Sequence, residues 1–209
     1  MNILWLDLNS SYAHSSLALP AIQAQMMDDT NIEWNIVSAT INESPNIIAG
    51  KITAAEPDVI AATCWLFNHD VLMHVLARAK AMVPNSMVIL GGPEFLGDNE
   101  DFLRRHPFVD IILRGEGEEA FPLWTKHINE IDKWKDITGL CYIHNDIYQD
   151  GGIARVMDFD RLTPPEESPL FNWSKPFVQL ETTRGCFNTC AFCVSGGEKP
   201  VRSLSIDTI

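Results

Sequence analysis

Three cysteines fall within eight residues near the end of the chain: Cys186, Cys190 and Cys193, spaced C-x3-C-x2-C. Thiolates are the usual ligands of iron–sulfur clusters. Three on one tight loop can hold three irons of a cubane 4Fe-4S cluster and leave the fourth iron open to a small molecule. Zinc is the competing reading. A structural zinc takes four protein ligands, often as two C-x-x-C pairs. No second pair exists here, although His144 or Cys141 could be recruited. A four-cysteine ferredoxin-like site would need a further cysteine nearby, and none is present. Cys64 and Cys141 stand alone in apolar surroundings. The amino terminus has no basic stretch ahead of its apolar run, so it does not read as a secretory signal. Clustered cysteines in such a chain point to metal or redox chemistry rather than to a disulfide framework.

A cysteine loop needs a scaffold, and the first 130 residues alternate strand-like and helix-like segments. The patterning predicts strands at Asn2–Asp7, Ile32–Ser38, Asp58–Thr63, Met87–Leu90 and Val109–Leu113. It predicts helices at Ser16–Met27, Ile47–Ala55, Asn68–Met82, Asp98–Arg105 and Glu118–Ile128. In Asn68–Met82 the side chains Val71, Leu72, Val75, Leu76 and Ala79 share one face. Nearly continuous apolar strands argue for a parallel sheet covered on both sides. Right-handed crossovers then give a doubly wound, flavodoxin-like α/β fold with strand order 2-1-3-4-5. The residues after the first strand, Asn9 to Ser16, contain no G-x-G-x-x-G, which weakens a dinucleotide reading.

From Gly139 to Val156 the pattern becomes that of a hairpin, and a connector follows with Pro164, Pro165, Pro169 and Pro176. Phe177–Glu181 reads as a strand leading into the cysteines. The expected division is a front domain over 1–135, a hairpin and Pro-rich linker over 136–176, and a cysteine-bearing segment over 177–209.

Of the 209 residues, 46% are apolar and 21% charged, a globular composition. No apolar run approaches the roughly 20 residues of a membrane span. The net charge is -13, from 15 basic and 28 acidic residues, and basic clusters for nucleic acid are lacking. From Glu181 onward the charges cancel, Arg184, Lys199 and Arg202 against Glu181, Glu198 and Asp207, so the acidity belongs to the front. An acidic cytoplasmic protein with neither a membrane nor a nucleic-acid partner is expected.

The run Glu181-Thr182-Thr183-Arg184-Gly185-Cys186-Phe187-Asn188-Thr189-Cys190-Ala191-Phe192-Cys193 resembles the cluster motif of the radical S-adenosylmethionine (SAM) superfamily. The resemblance implies that Cys186, Cys190 and Cys193 are the cluster ligands and that Phe192 packs near the adenine of SAM. It implies an open iron that chelates SAM and an electron transfer that yields a 5′-deoxyadenosyl radical. A flavodoxin or ferredoxin would supply that electron. Gly196-Gly197-Glu198 looks like that family's G-G-E element, but it lies on the cysteine loop itself and is not assigned that role.

The front also resembles a known module. Gly91-Gly92-Pro93-Glu94, followed by Val109 to Phe121 with its run Arg114-Gly115-Glu116-Gly117-Glu118-Glu119, is similar to the cobalamin-binding domain fused ahead of many radical SAM enzymes. Ligands of open α/β sheets bind beyond the carboxyl ends of the strands. The implied cobalamin residues are Asn9, Ser10, Ser11, His14 and Ser15 after the first strand, and Thr63, Cys64 and Trp65 after the third. Gly91, Gly92, Pro93 and Glu94 follow the fourth strand, and Gly115, Glu116 and Gly117 the fifth. Glycines 91 and 92 would admit a bulky ligand, although a tight strand-to-helix turn explains them equally. Around His14 the family's D-x-H-x-x-G reads Tyr12-Ala13-His14-Ser15-Ser16-Leu17, so the carboxylate that would orient a cobalt-bound imidazole is missing. The acidic residues after Gly115 are expected in the first turn of the next helix, favoured by its dipole.

A radical SAM (β/α) barrel takes on the order of 200 residues, and 29 follow residue 180. The chain is therefore expected to carry the start of a barrel, to be inactive alone and to expose apolar surface prone to self-association. The expected whole is a cobalamin-dependent radical SAM enzyme carrying out methyl transfer, oxidative cyclisation or rearrangement. Two alternatives stay open: a radical SAM enzyme whose front domain binds no cobalamin, and a non-catalytic binding module with a zinc clip.

Overall fold

The computed structural model describes residues 1–14, 16–194 and 200–206. Five β-α units come first: β1 (Asn2–Asn9), α1 (Ala18–Ala24), β2 (Glu33–Thr40), α2 (Pro45–Thr53), β3 (Val59–Thr63), α3 (His69–Met82), β4 (Met87–Gly91), α4 (Glu100–Arg105), β5 (Ile111–Leu113) and α5 (Gly117–Lys126). A short helix α6 (Ile131–Trp134) and the hairpin strands β6 (Leu140–His144) and β7 (Ile147–Asp150) follow. The sheet order is β2-β1-β3-β4-β5-β6-β7, parallel through β5 and antiparallel thereafter.

The first five strands thus take the order 2-1-3-4-5. The hairpin, expected as a separate piece, instead extends the sheet to seven strands by pairing Ile112 of β5 with Cys141 of β6. The sign was in the residues: Leu140, Cys141 and Tyr142 are apolar in succession and all buried, as in a strand covered on both faces. Asn145 and Asp146 turn the hairpin with φ of 50° and 63°, the conformation of a type I′ turn.

β1 shows why the sheet lies inside. Every side chain from Ile3 to Leu8 is buried. Leu4, Leu6 and Leu8 face a core with Ile48 and Ile52 of α2 and Leu72 and Leu76 of α3. Ile3 and Trp5 face the opposite core, with Ile22 of α1, Phe121 and Trp124 of α5 and Trp134 of α6. Burying each such side chain stabilises the fold by roughly 1.5–3 kcal/mol. No helix among the described residues is long and apolar enough to cross a membrane.

The Pro-rich connector is strapped across α1. Gln25 imitates a backbone amide, donating to the Thr163 carbonyl at 2.8 Å and accepting from its N–H at 3.1 Å. Ser168 bonds to Gln23, and both are buried. The strand expected at Phe177–Glu181 does not form. No neighbouring strand among the described residues offers it a ladder, and Phe177 and Leu180 stay exposed. The pairing falls later, between β8 (Thr183–Arg184) and β9 (Arg202–Ser203), which run antiparallel.

Candidate cofactor site

Beyond the carboxyl ends of β1, β3, β4 and β5 lies a cavity of about 240 Å³. Its floor exists because β3 carries Ala61 where its neighbours in register carry Trp5 and Ile89. Ala18, Ala21 and Ile22 of α1 and Phe121 of α5 form the apolar side. The buried indole N–H of Trp5, on this wall, has no hydrogen-bond partner among the described residues. An orphaned buried donor beside a cavity suits a ligand that brings an acceptor.

The rim is held by backbone. Asn68, 1% exposed, accepts from the Trp65 N–H at 2.8 Å and donates to the carbonyls of Leu8 (3.0 Å) and Thr63 (3.1 Å). It ties together the ends of β1 and β3, where the ladder has already stopped at Leu6 and Ala62, and fixes Trp65 over the cavity. Gly92 has φ of +114°, and a Cβ there would strike the Cys64 carbonyl oxygen. Its glycine is therefore required by the close approach of two loops, which is the tight-turn explanation. Gly117 packs against α1, where a Cβ would stand 2.8 Å from Ile22 Cδ1 and shift the end of that side chain.

Of the residues expected to meet cobalamin, Thr63, Trp65, Gly91, Gly92, Pro93, Gly115, Glu116 and Gly117 line the cavity. Asn9, Ser10, Ser11, His14, Cys64 and Glu94 are not on its wall. Ser15 lies outside the described residues. His14 stacks on Phe177 of the connector, ring centroids 4.9 Å apart. That ring contact, with Lys175 donating to the Tyr12 carbonyl at 2.9 Å, ties the β1 loop to the connector. Cys64 is fully buried in the core of the opposite face, where burial and the nearby Glu94 charge push its thiol up to about 12.

One wall is ionic. Glu116 and Glu118 after β5 meet Glu181 and Arg184 from the cysteine-bearing segment, and all four line the cavity. Arg184 forms an ion pair from Nη1 to Glu116 (3.2 Å), and it donates from Nη2 to Glu118 and through Nε and Nη2 to Glu181 (2.9 and 2.7 Å). Arg202 forks onto Glu116 at 2.6 and 2.9 Å. Burial would raise the Glu116 carboxyl, but Arg202, the Val156 N–H and the charge of Arg184 outweigh it and hold the group below its ordinary value. The carboxylates of Glu181 and Glu118 likewise outweigh the burial that opposes the charge of Arg184. Glu118 and Glu119 do lie in the first turn of α5, yet a dipole reading alone missed these partners. They lie 66 and 86 residues away, and local pattern carries no signal for them.

Cys186, Cys190 and Cys193 follow on a loop without helix or strand. Cys186 is half-buried and the other two are exposed. The Cys193 N–H donates to the Cys190 carbonyl at 3.1 Å. No three His, Cys, Asp or Glu side chains among the described residues converge as metal ligands. The donor chemistry suits iron and sulfide, but the thiols are not gathered. Phe192 is 92% exposed. Gly196, Gly197 and Glu198 lie outside the described residues.

A doubly wound sheet with an apolar slot at its switch point and a glycine-built rim defines a small-molecule-binding α/β domain. The chain belongs to the B12 binding domain family, which matches residues 6–124. It is 30% identical over 154 residues to 2-(S-pantetheinyl)-carbapenam-3-carboxylate methyltransferase of Streptantibioticus cattleyicolor. It is 29% identical over 154 residues to the cobalamin-dependent radical SAM methyltransferase TokK of Streptomyces tokunonensis. Each match takes in 66% of this chain and 22% of the relative. An anaerobic magnesium-protoporphyrin IX monomethyl ester cyclase of Cereibacter sphaeroides is 27% identical over 158 residues, 70% of this chain and 26% of that protein. The chain thus spans about a quarter of the length of these relatives. Among solved structures, the cobalamin-dependent SAM radical enzyme OxsB with aqua-cobalamin and SAM bound superposes with a TM-score of 0.76 at 20% identity, over 99% of this chain and 30% of that one. At that identity the likeness establishes the fold.

Proposed function

We propose that this chain is the front part of a cobalamin-dependent radical SAM enzyme, with a corrinoid seated on the carboxyl edge of the sheet. The observation that carries the reading is the cavity at that edge, one wall of which is Arg184, two residues ahead of Cys186. At about 240 Å³ the slot falls below the roughly 300–1,000 Å³ of sites that enclose drug-sized ligands. A corrin would lie over the rim of Trp65, Gly92 and Gly115, and only its appended arm would enter. The Trp5 N–H would meet an acceptor on that arm, and Ala61 and Phe121 would flank its apolar part.

Cys186, Cys190 and Cys193 would hold a 4Fe-4S cluster, which supplies the electron that cleaves SAM, while the corrinoid supplies carbon transfer. Binding would have to draw the thiols together, as is common for sites that form with their metal. The described loop gives up one backbone hydrogen bond, Cys193 to Cys190, in doing so. The relatives' chemistries make methyl transfer or oxidative ring closure the proposed outcome, with a flavodoxin or ferredoxin as electron donor.

The test is anaerobic reconstitution of the full-length protein with iron and sulfide. A broad absorption near the visible edge, lost in Cys186→Ala, and 5′-deoxyadenosine released from SAM on reduction are expected. Stoichiometric zinc without that absorption would overturn the cluster assignment.

A further inference from the structure

Glu116, Glu118, Glu181, Arg184 and Arg202 form one ionic network whose anions come from both sides of the connector. Glu118 and Arg202 are 7% and 7% exposed, and the side chains of Glu116 and Arg184 are 13% and 15% exposed. Solvent screens such groups little, whereas exposed pairs such as Arg104 with Glu100 contribute little. Phe159 lies beneath both guanidinium groups, its ring centre 4.4 Å from Arg184 Cζ and 5.4 Å from Arg202 Cζ. The Val156 N–H donates to Glu116 at 2.6 Å, and the Val156 carbonyl accepts from Arg202.

The placement of the two ends matters more than the number of bonds. Glu116 stands between Gly115, at φ of +102°, and Gly117, so its carboxylate rises from the cavity rim. Arg184 ends β8 and is followed by Gly185, at φ of +92°, and then by Cys186. Arg202 lies in the partner strand of the same ladder. Buried ion pairs are weak sources of net stability, because desolvation offsets their attraction. Their forked geometry fixes direction.

We propose that this network is a positioning clamp that sets the register of the cysteine loop against the cavity rim. It rests on the reading of the cavity as a corrinoid site and of the loop as a cluster site. Glu116 and Arg184 are positioning residues: they hold the roots of the two sites, and displacement of the rim carries the loop with it.

The experiment uses the full-length protein loaded with both cofactors, comparing wild type with E116Q, R184K and R202K. Backbone hydrogen exchange over 154–157, 181–186 and 202–204 is expected to speed up roughly tenfold or more, as local opening loses charged hydrogen bonds. Exchange in β1, β3 and β4 stays unchanged, and the content of both cofactors is measured on each variant, so that exchange and spin relaxation are compared at equal loading. The relaxation of the cob(II)alamin spin by the reduced cluster is expected to shift, a readout that a merely stabilising contact would not move. R184K keeps the charge but loses the fork, so it falls with E116Q. If E116Q fails to fold, seen as lost protection in β1, the two lysine variants decide. Unchanged exchange and unchanged spin relaxation with both cofactors bound would overturn the clamp. Failure of wild type to take up either cofactor would instead overturn the functional reading.

Discussion

Asn68→Ala isolates the group that holds the cavity mouth. Asn68 is 1% exposed and makes three hydrogen bonds, from the Trp65 N–H and to the Leu8 and Thr63 carbonyls. Truncation leaves an N–H and two carbonyls to find other partners. At about 1 kcal/mol for each lost bond, the sum is about 3 kcal/mol. For a chain of this size that corresponds to a fall in Tm of roughly 6–12 °C. Thermal unfolding followed by circular dichroism reads the shift, and hydroxocobalamin titration should show weaker binding because Trp65 loses its tether. Asn68→Asp keeps the acceptor for Trp65 but sets a carboxylate against two carbonyl oxygens. At neutral pH it should fall at least as far. A Tm for Asn68→Ala within about 1 °C of wild type, against that worked 6–12 °C, would refute the reasoning.

Gly92→Ala combines a φ of +114° with a clash against the Cys64 carbonyl, so a cost of about 2 kcal/mol or more is expected in denaturant unfolding. Gly97→Ala, where a Cβ meets nothing within 4 Å, should change stability far less. Glu43 accepts from the Tyr12 hydroxyl, the Thr40 N–H and Lys51, which lower its pKa from 4.5 to about 2. Because the folded value is depressed, this stabilisation is complete above pH 4.5 and is lost as pH falls through about 2. Glu43→Gln should flatten that part of the stability curve, and titration of the Glu43 carboxyl by NMR checks the value directly. Alkylation by iodoacetamide, read by mass spectrometry, should mark the exposed Cys190 and Cys193 first and spare Cys64, whose buried thiol is pushed up to about 12.

The sheet was legible because its strands are apolar in succession. A segment such as Ile3 to Leu8 has no polar face to give to water, so it must be central in a sheet covered on both sides. The helix over His69–Met82 was legible for the complementary reason, its stripe of Leu72, Val75, Leu76 and Ala79. The hairpin itself could be read from the change of pattern after Gly139, but its place in the sheet depended on the burial of Leu140 to Tyr142 against β5. Phe177–Glu181 has strand-like residues, yet a strand needs a neighbour, and residue type does not reveal one.

The site was legible where it is built of glycine and proline, at residues 91–93 and 115–117. The floor was hidden because Ala61 reads as an ordinary apolar residue until its register with Trp5 is known. Polar residues after β1 invited a binding role, but the two contacts that tie that loop to the connector, His14 with Phe177 and Lys175 with Tyr12, come from residues more than 160 positions away. The ionic wall was the least legible part, since Glu116 and Arg202 meet only in three dimensions.

Titration of the purified protein with hydroxocobalamin tests the central claim most directly. A saturable, one-to-one change in the corrinoid spectrum, retained through gel filtration, is the expected result. A spectrum that never departs from that of the free corrinoid, with no colour carried by the protein, would contradict it.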